Sequence, residues 1–194
     1  MEGRSPVTRI ISGTARGRHI KVPSEGTRPT SDRAREGLFS SLQVRFGFAD
    51  EVVLDLFAGS GALGLEAASR GAQEVTLVDY NAKAVAVIKD NTKVVPDADV
   101  RVVEAKASVF IAGATHNHYT MVLADPPYEL ADEAVVEMLN ALIPLLTDDA
   151  VVVVERHSQS PETAWPDGFE PTGQKLKKRT FGIARFDMAI WRGV

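Results

Sequence analysis

Between residues 51 and 154 short apolar runs alternate with segments of helical periodicity, and this alternation restricts the fold more than any other feature of the chain. Val52-Val53-Leu54-Asp55-Leu56, Glu74-Val75-Thr76-Leu77-Val78-Asp79, Val100-Arg101-Val102-Val103 and residues 119–124 are predicted strands, and Val151-Val152-Val153-Val154 a strand buried on both faces. Residues 62–71, 82–94, 105–111 and 131–145 are the predicted helices between them. Strands and helices of these lengths in alternation call for a doubly wound α/β fold, with a mostly parallel sheet, right-handed crossovers and helices on both faces. After a Pro-containing loop at 158–167, residues 169–178 and 183–191 read as strands joined by Thr180-Phe181-Gly182. The sheet should therefore finish in an antiparallel hairpin.

Residues 1–46 precede this pattern and read as an extension to a main domain of residues 47–194. Two short runs, Ile10-Ile11 and His19-Ile20-Lys21-Val22, flank the turn Gly13-Thr14-Ala15-Arg16-Gly17 and predict a small β-hairpin. Thr30 or Ser31 can cap the helix that follows, whose Leu38, Phe39 and Leu42 form an apolar stripe. That stripe should pack, and the arginines of the same helix should stay in solvent. The chain carries a net charge of −4, but its first 35 residues hold eight Lys/Arg against three Asp/Glu, a balance of +5 that leaves −9 for the rest. Local charge sets the field that a polyanion meets, so this segment suits a phosphate backbone; a solvated basic surface is the plainer alternative.

Asp55-Leu56-Phe57-Ala58-Gly59-Ser60-Gly61-Ala62-Leu63-Gly64 leads from the first sheet strand into a helix. Such a glycine loop lets a ligand approach the backbone, and by its spacing alone it serves a dinucleotide equally well. Asp55, four residues before Gly59, would oppose a pyrophosphate and favour an ammonium group. Asp79 ends the second strand, 18 residues beyond Gly61, where an acid can take both hydroxyls of a ribose. Together they indicate an adenosine cofactor that carries a cation, and S-adenosylmethionine is one. Further on, Met121-Val122-Leu123 runs into Ala124-Asp125-Pro126-Pro127-Tyr128. Two prolines cannot continue a central strand, so the chain turns there and presents a carboxylate, a carbonyl and an aromatic face together. A flat nitrogenous base fits that group, although a Pro-rich turn needs no ligand.

The length of 194 residues suits one well-buried core. No apolar run approaches the roughly 20 residues of a membrane span, and Met1-Glu2-Gly3-Arg4-Ser5-Pro6 has no apolar signal core, so a cytoplasmic protein is expected. Without cysteine there are no disulfides or thiolate metal sites, and four scattered histidines offer no ligand spacing; no metal is expected.

These residues resemble the class I, Rossmann-like S-adenosylmethionine-dependent methyltransferases, and among them the bacterial enzymes that methylate the exocyclic N2 of a guanine in 16S ribosomal RNA. The resemblance rests on Arg9-Ile10-Ile11-Ser12-Gly13 with Arg16-Gly17-Arg18, on Arg28-Pro29-Thr30-Ser31-Asp32-Arg33-Ala34-Arg35-Glu36, on the glycine loop and on Asp125-Pro126-Pro127-Tyr128. It implies that Asp55, Phe57, Gly59 and Gly61 line the methionine end of the cofactor and that Asp79 holds its ribose. The position of Lys106 often carries Asp or Asn in such sequences; lysine cannot accept from the adenine amine, which leaves the Ala107 backbone N–H for that ring. Phe181-Gly182 stands where the family tends to have Tyr-Gly.

The resemblance further implies that Asp125 and the Pro126 carbonyl accept the two N–H protons of the target amine, that Pro127 removes a competing donor and that Tyr128 stacks on the base. Asp125 would also contact the cofactor end of the site. Arg9, Arg16, Arg18 and Lys21 would meet RNA phosphates, with Arg28 and Arg33 nearer the reaction and Arg33 open between RNA and the cofactor carboxylate. The expected product is S-adenosylhomocysteine, the expected partner 16S ribosomal RNA or a small-subunit assembly intermediate, and the expected state a monomer. Alternatives are an adenine-N6 DNA methyltransferase, a non-catalytic RNA-binding module with this fold, and a dinucleotide oxidoreductase.

Overall fold

The structure, a computed structural model, describes residues 7–24 and 30–193. A two-stranded antiparallel hairpin, β1 (Val7–Arg9) and β2 (His19–Lys21), precedes helix α1 (Asp32–Arg45). The main sheet follows as β3 (Val52–Leu56), β4 (Glu74–Asp79), β5 (Asp99–Glu104), β6 (Tyr119–Ala124) and β7 (Leu146–His157). Helices α2 (Ala62–Ser69), α3 (Ala82–Asn91), α4 (Ala107–Gly113) and α5 (Asp132–Leu142) alternate with these strands, and 3-10 turns at Thr92–Val94 and Ile143–Leu145 extend two of them. The chain ends with β8 (Phe169–Pro171), α6 (Leu176–Arg179), β9 (Thr180–Phe181) and β10 (Ala184–Trp191).

The strand order is β5-β4-β3-β6-β7-β10-β8, with β9 also paired to β10. Pairing is parallel from β5 through β7 and antiparallel around β10. From β3 the chain first moves outward to β4 and β5, then returns to place β6 on the other side of β3. The carboxyl ends of β3 and β6 thus border the switch point, where an open α/β sheet leaves a crevice for ligands.

Because side chains alternate along a strand, Val53, Met121, Leu123, Val151 and Val153 face one core, while Leu54, Val122, Ala124, Val152 and Val154 face the other. The first core receives α1 through Leu38 and Phe39, α2 through Leu65, α3 through Ile88 and the hairpin through Ile10 and Ile20. The second receives Ile111 of α4 and Val135 and Leu139 of α5. The hairpin is also pinned to α2, since Ile11 N and Ser12 N donate to the Glu66 carboxylate at 2.8 and 3.0 Å.

Three sequence expectations need correction. Arg35 is fully buried, although the arginines of α1 were expected in solvent. It lies three and four residues before Leu38 and Phe39, which puts it on their stripe, and it donates to Thr8 Oγ1, the Arg9 carbonyl and Asp32. Residues 169–178 are not one strand: Pro171 lacks an N–H, residues 172–175 are irregular, and residues 176–179 form α6. Thr180 and Phe181 are not the connecting turn but pair with Arg185 and Ala184, so the tight hairpin closes at Gly182-Ile183. The antiparallel finish holds, with β10 lying between β7 and β8. Among the described residues, no helix is long and apolar enough to cross a membrane.

Candidate active site

The site begins where β3 ends. Phe57 takes a left-handed φ of 63°, and Gly59 and Gly61 follow at 60° and 82°, which turns the chain sharply into α2. A side chain at Phe57 in this conformation is strained, and the surrounding bonds hold it: Ala58 N donates to the Val78 carbonyl at 2.9 Å and Gly61 N to the Ala58 carbonyl at 2.7 Å. Gly64 brings α2 against the sheet so closely that a Cβ there would lie 2.2 Å from Leu77 Cδ2 and 3.1 Å from Asp55 Oδ2. Its N–H donates to Asp55 Oδ2 at 2.8 Å. Asp55 Oδ1 is buried with no hydrogen-bond partner. Burial, with the Asp79 charge acting in the same direction, pushes the Asp55 carboxyl up to about 7 against the Gly64 bond.

Asp79 closes the loop from the neighbouring strand. Its Oδ2 accepts from Gly59 N and its Oδ1 from Asn81 N, each at 2.8 Å, which aims the carboxylate across the mouth of the crevice. Asn81 in turn caps α3 through Lys83 N.

At the end of β6, Asp125, Pro126, Pro127 and Tyr128 leave the sheet, and Leu130 N donates back to the Pro127 carbonyl at 2.9 Å. Beside them β7 continues past the valine run into Glu155, which is 2% exposed. Thr30 Oγ1 lies 2.8 Å from Glu155 Oε2 and 3.3 Å from Asp125 Oδ2, and the Tyr128 hydroxyl donates to Glu155 Oε1 at 3.0 Å. The Tyr128 ring meets His157 edge-on, with centroids 5.2 Å apart. Burial and the charges of Glu155 and Asp55 hold the Asp125 carboxyl well above the usual range.

These elements enclose a cavity of about 1090 Å³. Single small-molecule pockets run to about 1,000 Å³, so there is room for a cofactor and a base together. Phe57, Gly59, Asp79, Ala107, Asp125, Pro126, Pro127 and Tyr128 line it. Asp55 and Gly61 do not: the first lies behind the loop and the second caps α2. Lys106 lines the cavity at the start of α4, next to Ala107.

The basic residues divide. Arg9, Arg16 and Arg33 are exposed, and Arg9 stands 3.6 Å from Asp32. Arg18 is exposed and donates to the Val94 carbonyl at 3.2 Å. Lys21 is drawn to α3, where it pairs with Asp90 at 2.5 Å, and its backbone is held by Asn91. Arg28 lies outside the described residues.

Sequence reasoning passed over three residues. Glu155 was visible as an acid at the carboxyl end of a buried strand, the same signal that singled out Asp79. Thr30 was read only as a helix cap, whereas Ser31 makes that cap by accepting from Ala34 N at 3.1 Å. Tyr80 is 66% exposed and lines the cavity immediately after Asp79, an aromatic position open to a flat ring.

The sequence model of the family described as conserved hypothetical protein 95 matches residues 8–189. The chain belongs to that family. The protein named ribosomal RNA small subunit methyltransferase D from Escherichia coli K12 is 41% identical over 152 residues, which are 76% of this chain and 73% of that one. Its namesake in Haemophilus influenzae is 33% identical over 184 residues, covering 92% and 91%. Among solved structures, yhhF from Escherichia coli superposes with a TM-score of 0.79 at 32% identity, over 97% of this chain and all of that one. The fold extends to more distant proteins: magnesium protoporphyrin IX methyltransferase from Synechocystis, solved with bound SAM, gives a TM-score of 0.60 at 14% identity over 87% of each chain.

Proposed function

We propose that this chain transfers a methyl group from S-adenosylmethionine to the exocyclic N2 of a guanine in 16S ribosomal RNA, on a small-subunit assembly intermediate, and releases S-adenosylhomocysteine. The observation that carries this reading is the row of acids at neighbouring strand ends. Asp79 after β4, Asp125 after β6 and Glu155 in β7 line the crevice, and Asp55 of β3, two positions earlier in the register, lies just behind it. A dinucleotide pyrophosphate would meet like charge there, whereas a ligand bearing an ammonium and a sulfonium meets its complement. The orphaned Asp55 Oδ1 fits such a ligand too, because a buried acceptor without a donor is costly and an ammonium, directly or through a water, supplies one. The names of the relatives add ribosomal RNA of the small subunit as the substrate.

When bound, the cofactor supplies an electrophilic methyl group. Phe57, Gly59 and Gly61 shape the loop around its methionine end, Asp55 reaches the ammonium from behind the loop through a water, Asp79 takes the ribose hydroxyls and the Ala107 N–H meets the adenine. Asp125 and the Pro126 carbonyl accept the amine protons of the target guanine, which draws the nitrogen toward a tetrahedral shape and aims its lone pair. Pro127 offers no competing N–H, and Tyr128 stacks on the base. The gain comes mainly from orientation, and the guanine enters unpaired or flipped.

Residues 1–46 serve as an RNA-binding extension to a methyltransferase domain of residues 47–194. Arg9, Arg16, Arg18, Arg28 and Arg33 meet phosphates; Lys21, already paired with Asp90, contributes by holding the hairpin in place. The protein acts in the cytoplasm, as a monomer and without a metal. Incubation with labelled S-adenosylmethionine and small subunits that lack the modification tests the assignment. Label is expected in the RNA; label confined to DNA, or none at all with intact subunits, would contradict it.

A further inference from the structure

Glu155 touches three groups of the site and is used by none of the steps above. The register of β6 and β7 pairs Ala124 with Val154, so Asp125 and Glu155 are the next residues on adjacent parallel strands and meet over the same face. Glu155 is 2% exposed, its Oε2 accepts from Thr30 and its Oε1 from Tyr128. The Thr30 hydroxyl stands between the two carboxyl groups, and its single proton can serve only one of them at a time.

We propose that Glu155 is a positioning residue for the transfer, anchoring the Tyr128 ring through its hydroxyl and sharing one proton with Asp125 so that Asp125 can take the proton that the amine sheds. The inference rests on the function proposed above. Two buried carboxylates in contact cannot both stay ionised, so the pair holds one proton and carries one negative charge. The groups that face Asp125 reinforce this. Asp55 on β3 and Glu155 on β7 add negative charge, and burial raises the carboxyl further. Thr30 and Tyr128 offer only neutral hydroxyls.

In the reaction the N2 lone pair forms the bond to the methyl carbon, and the carbon–sulfur pair leaves with sulfur as a thioether. The amine, now cationic, passes one N–H proton to Asp125. The pair then holds two protons and is neutral, the state that burial favours, and it returns one to solvent after the product departs.

The test follows the 13C carboxyl resonance of Asp125 against pH in the ligand-free protein, assigned by its loss in Asp125→Asn, in wild type, Glu155→Gln and Glu155→Asp. The wild-type midpoint is expected above the ordinary carboxylate range. Glu155→Gln should lower it by at least about one pH unit, since the amide removes the neighbouring charge. Glu155→Asp should stay with wild type. An unmoved midpoint in folded Glu155→Gln overturns the proposal. In the methyl-transfer assay, Glu155→Gln should reduce kcat by roughly tenfold or more, with a smaller change in KM for RNA. Wild-type kinetics in that variant would overturn the proposal as well. A wild type that transfers no methyl group contradicts the assigned function instead, because the resonance reads the shared proton without turnover.

Discussion

The Gly59 backbone N–H donates to Asp79 Oδ2 at 2.8 Å, so the glycine loop at the end of β3 is fastened to the acid that ends β4. One carboxylate thereby both shapes the loop and faces the ligand. Asp79→Ala removes two charge-assisted bonds to backbone N–H groups as well as the proposed ribose contact. Each such bond is worth about 1.5–3 kcal/mol. Cofactor affinity measured by calorimetry should fall by two orders of magnitude or more; Asp79→Asn, which keeps one acceptor, should lose less.

In the proposed site Asp125 meets the base rather than the adenosine. Asp125→Ala should therefore abolish methyl transfer, a loss of about 10²-fold or more, while S-adenosylmethionine affinity stays within several-fold. A single-turnover assay with small subunits, paired with calorimetry, separates the two effects.

Gly64 has no room for a side chain. Gly64→Ala would push its Cβ into Leu77 and the Asp55 carboxylate and should destabilise the protein by about 1–3 kcal/mol, read by urea unfolding. Cofactor affinity should drop in parallel, since α2 and the loop move together.

The raised Asp55 carboxyl makes the ligand-free protein sensitive to pH. The folded state holds this proton more tightly than the unfolded chain does. Its contribution is therefore complete below the unfolded value of 3.8 and is lost as pH rises toward about 7. The shift corresponds to at most about 4 kcal/mol. The raised Asp125 carboxyl acts in the same direction, and Asp32, Asp90 and Asp187, whose values are lowered, stay ionised throughout this window. The melting temperature of ligand-free protein should fall between about pH 5 and about pH 8, and Asp55→Asn should flatten that fall.

Exposed and occupied cations of the hairpin should behave differently. Replacing Arg16 with Glu should weaken RNA binding and reduce the slope of affinity against salt by about 0.7–0.9 for each phosphate that is no longer neutralised. Lys21→Ala should leave that slope closer to wild type, because its ammonium already pairs with Asp90. Filter binding at several salt concentrations distinguishes them.

The parallel sheet was legible because a strand buried on both faces, such as Val151 to Val154, is apolar at every position, while helices such as α3 keep an amphipathic period. Asp79 and Asp125 were legible for a related reason: an acid that interrupts an apolar run marks the strand's end at the crevice. Glu155 carries the same signal as Asp79, but β7 runs on past it through Arg156 and His157, whose polarity argues against a strand. Tertiary partners make that extension possible, since Arg156 donates to Asp132 and the Leu130 carbonyl. The burial of Arg35 is not legible because its charge argues for solvent while its helical position argues for the core, and its partners Thr8 and Arg9 come from a hairpin 27 and 26 residues earlier. Asp55 was identified as a site residue, but no one-dimensional pattern distinguishes an acid that lines a cavity from one that lies just behind its wall.

The measurement that bears most directly on the central claim is the identity of the methylated nucleoside. Small subunits lacking the modification are incubated with the protein and labelled S-adenosylmethionine, and the RNA is digested to nucleosides and separated. All of the label should appear as N2-methylguanosine from a single position of 16S ribosomal RNA, and Asp125→Ala should yield none. Label on adenine, on a ring nitrogen or on ribose, or equal labelling by Asp125→Ala, would contradict the assignment.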